Sequence, residues 1–252
     1  MRVIILAAGY GTRLYPLTRN TPKPLIKIHG KPIINFLLDK ITLIGEKFPI
    51  KEVCVVTNDK FYTNFLAWKK TCSVKVEILN DGSTSPDDRL GALRDIKFAM
   101  GDKKDDWLVL GGDNLFEDNL KDFVKFAKTK KDFPVMGLYD VKSKKVASRY
   151  GVVEVNRQKQ IIRMEEKPKN PFSTLAASCV YYFPKNSHAW LDKFLSDGER
   201  KDASGRYIAW LIDKTKVYGY QLKGRWVDIG HIDTLKEAER DFKPAIMKNP
   251  KP

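Results

Sequence analysis

Hydrophobic positions along this chain switch between two periods. Short apolar runs at 3–6, 52–56, 74–79 and 107–110 are rich in Val, Ile and Leu. Glycine or polar turns bound them, as they bound strands. Between the runs the spacing becomes helical. The clearest helix covers 32–44, with Ile33, Ile34, Leu37, Leu38 and Ile41 on one face. Pro32 suits its first position and Gly45 its end. Further helices are predicted at 61–69 and 90–100. Alternating strands and helices imply a mostly parallel sheet covered on both faces.

The second half changes character. Residues 133–141, 151–155, 161–164 and 176–183 read as strands, and the polar turn 158–160 predicts a hairpin. Helices follow at 187–195 and 206–212, then a strand at 217–222 and a last helix at 232–242. No linker, repeat or low-complexity stretch interrupts the chain, so one domain is expected over 1–243. Prolines 244, 250 and 252 predict a loosely ordered tail over 244–252. The expected fold is a Rossmann-like three-layer α/β/α sandwich around a mostly parallel, mixed central sheet.

The first strand runs into a glycine-rich loop, Ala7 to Gly11, followed by Thr12 and Arg13; Lys23 stands between Pro22 and Pro24. Glycines let a backbone approach phosphates and turn its N–H groups toward them. A guanidinium and an ammonium nearby supply countercharge for a polyphosphate. The loop is neither of the better-known types. Gly-Lys-Ser/Thr occurs nowhere, which argues against a Walker loop. Gly9-x-Gly11 lacks the third glycine of a dinucleotide loop, and Pro16 argues against an immediate helix.

Composition narrows the partners. The 252 residues carry a net charge of +15, which points to anionic partners. The lysines are spread without a dense basic block, so phosphate-bearing small molecules fit better than nucleic acid. Cys54, Cys72 and Cys179 are odd in number and show no zinc or CxxC spacing. Cys54 and Cys179 lie in apolar runs and are expected to be buried, as in a reducing cytoplasm. The short apolar start is unlike a signal peptide, and no run reaches membrane-span length. His29, His188 and His231 make no triad; His231 reads as a helix-start residue. Trp210, Trp226 and Tyr207 read as core or pocket walls. No Ser or Cys sits in a nucleophile elbow.

Six segments together resemble the sugar-1-phosphate nucleotidyltransferases, and most nearly the glucose-1-phosphate thymidylyltransferase type. They are LAAGYGTRLYPLT, TPKPLIKIHGKPII, VLGGDNLFEDNL, YGVVEV, EEKPK and GRWVDIGHIDTL. The resemblance runs from Arg2 to about Phe242. It implies Mg²⁺-dependent transfer from a nucleoside triphosphate, dTTP or UTP, to a sugar-1-phosphate such as glucose-1-phosphate. It places Asp113 and Asp228 on one Mg²⁺, Arg13 on the β and γ phosphates, and Lys23 near the α phosphate. Leu6, Ala7, Ala8, Gly9, Gly11 and Thr12 would line the nucleotide. Lys167 would bind the sugar phosphate and Glu166 the sugar hydroxyls, with Gly151, Ala177 and Ser178 lining that pocket. From spacing alone, the two aspartates also fit turns or helix caps, and the lysines fit a solvated surface.

The base pocket departs from the family pattern. Asn80 or Asp81 stands where relatives place glutamine, and Leu90-Gly91-Ala92 matches the segment that follows. Base choice therefore stays open, and the loop 81–88 is expected to act as a mobile cover. Rival readings are a cytidylyl- or guanylyltransferase acting on phosphocholine or mannose-1-phosphate, and a nucleotide-binding module without catalysis. A dehydrogenase is disfavoured by the missing glycine. The chain is expected to end before the C-terminal repeat domain that many relatives carry; a homo-oligomer is compatible with the resemblance.

Overall fold

A computed structural model describes residues 1–196 and 204–242; the expected tail lies outside them. The first half runs β1 (Arg2–Leu6), β2 (Lys27–Ile28), β3 (Lys31–Pro32), α1 (Ile33–Gly45), β4 (Glu52–Thr57), α2 (Asp59–Lys69), β5 (Glu77–Asn80), α3 (Ala92–Met100), β6 (Trp107–Gly111), β7 (Asn114–Phe116) and α4 (Lys121–Thr129). The second runs β8 (Val135–Asp140), α5 (Lys144–Ala147), β9 (Gly151–Val155), β10 (Ile161–Glu166), β11 (Leu175–Phe183), α6 (Ser187–Ser196), α7 (Ser204–Ile212), β12 (Tyr218–Gln221), β13 (Trp226–Asp228) and α8 (Ile232–Asp241).

The main sheet has the order β10-β9-β11-β6-β1-β4-β5, with β8 on β11 and β12 on β8. β1 lies between β4 and β6, parallel to both, and Leu6 is in register with Val56 and Gly111. Thr57 is likewise in register with Asn80. The loops after β1, β5 and β6 therefore leave from one carboxyl edge, where open α/β sheets bind ligands.

Consecutive side chains of a strand face opposite sides, which builds the layers. Val3, Ile5, Leu108 and Leu110 pack with Leu37 and Ile41 of α1, Phe61 and Phe65 of α2, and Phe123 of α4. Ile4, Trp107 and Val109 pack the other way, with Ile96 of α3, Phe194 of α6 and Tyr207 of α7. A third cluster, including Leu14, Leu115, Ile229, Ala238 and Phe242, ties α8 to the loop after β1. The three-layer α/β/α sandwich is as expected.

The differences have local causes. α2 starts at Asp59 because the Asn58 side chain caps it, accepting from Phe61 N at 3.0 Å. Parallel pairing is concentrated in the first half; β11 runs antiparallel to β6, β8 and β9. Six elements were not expected: the short strands β2 and β3, the helix α4, the one-turn helix α5, and the ribbon β7–β13. The Phe123, Val124 and Ala127 face of α4 has helical spacing, but its mean hydropathy is low among lysines. Among the described residues no helix is long and apolar enough to cross a membrane.

Candidate active site

Two loops meet backbone to backbone at the carboxyl edge. Gly112 N donates to the Leu6 carbonyl at 2.8 Å, and a Cβ on Gly112 would lie 2.7 Å from that oxygen. Gly11 sits at φ 63, where its carbonyl accepts from the Thr18 hydroxyl at 2.6 Å. The loops enclose a cavity of about 350 Å³. Leu6, Ala7, Gly9, Gly11, Thr12, Arg13, Lys23 and Asp113 all line it, so the predicted phosphate loop and first acid share one wall. Ala8 turns its carbonyl to the Asn58 amide at 2.8 Å.

The second acid arrives through the ribbon. β13 pairs with β7 so that Asp228 faces Asn114, and Ile229 N donates to Asp113 O at 3.1 Å. Lys23 forms an ion pair with Asp113 Oδ2, while Asn114 Nδ2 donates to Oδ1 at 2.8 Å. Burial, and then the charge of Asp113, push the Asp228 carboxyl up to about 6, against the pull of Lys23, Arg13 and Lys167. Arg13 Nη1 lies 3.2 Å from His231 Nε2. His231 is the N-cap of α8, as its sequence position suggests, and it also props the arginine.

The residues predicted for the sugar side meet at the end of β10, with Ser178 as the exception. A Cβ on Gly151 would lie 3.1 Å from Glu166 Oε2 and 3.6 Å from Ala177 Cβ. Lys167 holds φ 48, its amide donating to the Tyr150 carbonyl at 3.0 Å. Ser178 is placed elsewhere. It is fully buried and donates to Gly137 O at 2.8 Å, where the β11–β8 register shifts. Gly205, at the start of α7, was not anticipated; a Cβ there would overlap the Glu166 carboxylate. Gly205→Ala should therefore displace Glu166 and raise the KM for a sugar phosphate about tenfold, or ~1.4 kcal/mol. Initial-rate kinetics check this; an unchanged KM would remove Glu166 from the sugar site.

Of the residues predicted for the base side, Asn80, Asp81 and Gly91 are not among those lining the cavity, and the two side-chain candidates differ in their bonds. Asn80 turns away, donating to Asp59 Oδ1 at 2.8 Å and accepting from Gly82 N at 2.9 Å. Asp81 Oδ1 accepts from Ser83 N and Oγ, and Ser83 Oγ in turn accepts from Tyr10 at 3.3 Å. The other Asp81 oxygen is buried with no hydrogen-bond partner. The loop expected as a mobile cover is organised around Asp88, which accepts from the amides and hydroxyls of Thr84 and Ser85. Those bonds hold its carboxyl well below the usual range. Gly91 opens α3 at φ 92, and Pro86, Arg89 and Ala92 line the cavity. Arg89 sits in a charged polar stretch that carried no signal that it would line the cavity.

A larger cavity, about 660 Å³, opens at the amino ends of β1, β4 and β5 and contains none of the predicted site residues. Glu52 and Glu77 meet at its edge. Burial pushes the Glu52 pKa up, but bonds to Glu77, Lys103 and Arg2 bring it down to about 2. The bond to Glu52, then burial, raises that of Glu77. A carboxyl raised on folding stabilises when protonated and loses that contribution as pH rises. Glu77→Gln should therefore raise the melting temperature more at about pH 8 than at about pH 5. Thermal melts at both values test it; an equal shift would contradict a Glu77 carboxyl raised by Glu52.

A glycine-rich phosphate loop facing two acids at the carboxyl edge of a parallel sheet defines a class of proteins acting on nucleotides. Residues 2–244 match the family model described as nucleotidyl transferase. The chain is 31% identical over 242 residues to the bifunctional protein GlmU of Methanocaldococcus jannaschii, covering 95% of this chain and 54% of that one. It is 32% identical over 253 residues to the protein of the same name from Methanococcus maripaludis strain C7, covering 98% and 56%. It thus spans about half the length of these curated relatives. Its fold matches that of a Bacillus anthracis protein described as a candidate glucose-1-phosphate thymidylyltransferase, solved with sucrose. The TM-score is 0.81, over 96% of each chain at 23% identity. The chain belongs to the nucleotidyl transferase family.

Proposed function

We propose that this chain transfers a nucleotidyl group from a nucleoside triphosphate, dTTP or UTP, to a sugar-1-phosphate, with glucose-1-phosphate favoured. The observation that carries the reading is the Asp113–Asp228 pair beside Arg13 and Lys23. The charge of Asp113 raises the proton affinity of Asp228, and the two carboxylates together offer hard oxygens to a cation. That donor set fits Mg²⁺, which when bound supplies charge neutralisation between the two phosphates. Arg13 holds the outer phosphates, and Lys23 exchanges its ion pair with Asp113 for the α phosphate. Lys167 grips the acceptor phosphate, and Glu166 fixes the sugar.

An oxygen of the sugar phosphate, already ionised near neutral pH, forms the new bond to the α phosphorus. The bond to the β phosphate's bridging oxygen breaks, and pyrophosphate leaves. No general base is needed, so positioning and charge carry the rate. The three cysteines are free, which supports a cytoplasmic setting. The reverse reaction tests the proposal. Pyrophosphate added to dTDP-glucose, UDP-glucose or UDP-N-acetylglucosamine should regenerate the triphosphate. Failure with all three, and with GDP-mannose and CDP-choline, would reject it.

A further inference from the structure

Asn114 is 2% exposed and Trp226 8% exposed, both beside the acids. The indole Nε1 of Trp226 donates to Asn114 Oδ1 at 2.6 Å. An indole N–H can only donate, so it decides which way the Asn114 amide faces. The amide nitrogen must then point the other way, where it donates to Asp113 Oδ1 at 2.8 Å and reaches Gly111 O at 3.5 Å. Gly111 leaves the room: a Cβ there would stand 2.6 Å from Asn114 Nδ2. The indole is itself fixed between Tyr139 and Tyr150, with ring centroids 5.5 and 5.1 Å away. Without the indole donor the amide could reverse and set its oxygen against the carboxylate.

We propose that Trp226 and Asn114 form a positioning relay that fixes the Asp113 carboxylate for its cation and the substrate phosphates. The inference rests on the function proposed above for what Asp113 holds. Trp226→Phe removes the N–H and keeps a ring between the two tyrosines. Mn²⁺ binding to the purified chain, followed by electron paramagnetic resonance without turnover, gives the direct readout. Trp226→Phe should weaken the Mn²⁺ binding that Asp113→Asn abolishes by about tenfold, as outer-shell losses do. It should lower kcat while leaving the KM for sugar phosphate unchanged. In an Asn114→Ala background it should add nothing further.

Wild-type Mn²⁺ affinity in Trp226→Phe would overturn the relay, as would losses that multiply in the double variant or wild-type binding indifferent to Asp113→Asn. If Asn114→Ala does not fold, the Trp226→Phe titration decides alone. A wild-type chain that binds Mn²⁺ through Asp113 but makes no nucleotide sugar would instead reject the proposed function.

Discussion

Asp113→Asn should cost roughly 10³-fold or more in nucleotidyl transfer, since a preorganised charge at the reacting phosphate is lost. The fold should survive, because Asp113 is held at the surface of the ribbon by side-chain contacts and one backbone bond. Asp228→Asn should be as inactive and yet more stable. The Asp228 carboxyl titrates at about 6 in the folded chain, above its ordinary value, because burial and Asp113 disfavour its charge. Ionisation above that pH therefore costs folding free energy, which a neutral amide avoids. Each kcal/mol relieved raises the melting temperature about 2–4 °C in a chain of this size. The gain should appear near neutral pH without divalent cation and shrink as pH falls and the wild-type carboxyl takes up its proton. Steady-state rates and thermal melts of the pure variants test both halves. Near wild-type turnover in Asp113→Asn would end the metal assignment.

Lys167→Ala should separate the two substrates. The Lys167 amide is pinned to Tyr150 O, so truncating the side chain removes charge and leaves the strand end in place. One charge-assisted hydrogen bond, worth ~1.5–3 kcal/mol, corresponds to about 10–100-fold in the KM for sugar phosphate. The KM for nucleotide should barely move, and Lys167→Arg should recover part of the loss. Equal effects on both substrates would remove Lys167 from the acceptor site.

The parts legible in the sequence were those with local causes. The apolar run of β1, the glycines after it and the one-sided face of α1 each state their structure within a few residues. β1 then places the Gly-Tyr-Gly loop at the sheet edge through its register with β4 and β6. The meeting of Asp113 with Asp228 was not legible from spacing. It depends on two three-residue strands from distant parts of the chain, and only the family resemblance pointed to it. The Arg13–His231 contact and the approach of Gly205 to Glu166 are equally non-local. Ser178 shows the converse: a polar residue in a strand can bond a neighbouring carbonyl and never face the pocket. Asn80 and Asp81 were equivalent as letters, and only their hydrogen bonds distinguish them.

The most direct test of the central claim is pyrophosphate release from the wild-type chain with Mg²⁺ and glucose-1-phosphate, supplying dTTP, UTP, CTP, GTP and ATP one at a time. Release with dTTP or UTP that depends on the sugar phosphate is the predicted result. Silence with all five, continuing when mannose-1-phosphate, N-acetylglucosamine-1-phosphate and phosphocholine replace the acceptor, would contradict nucleotidyl transfer and leave a nucleotide-binding module.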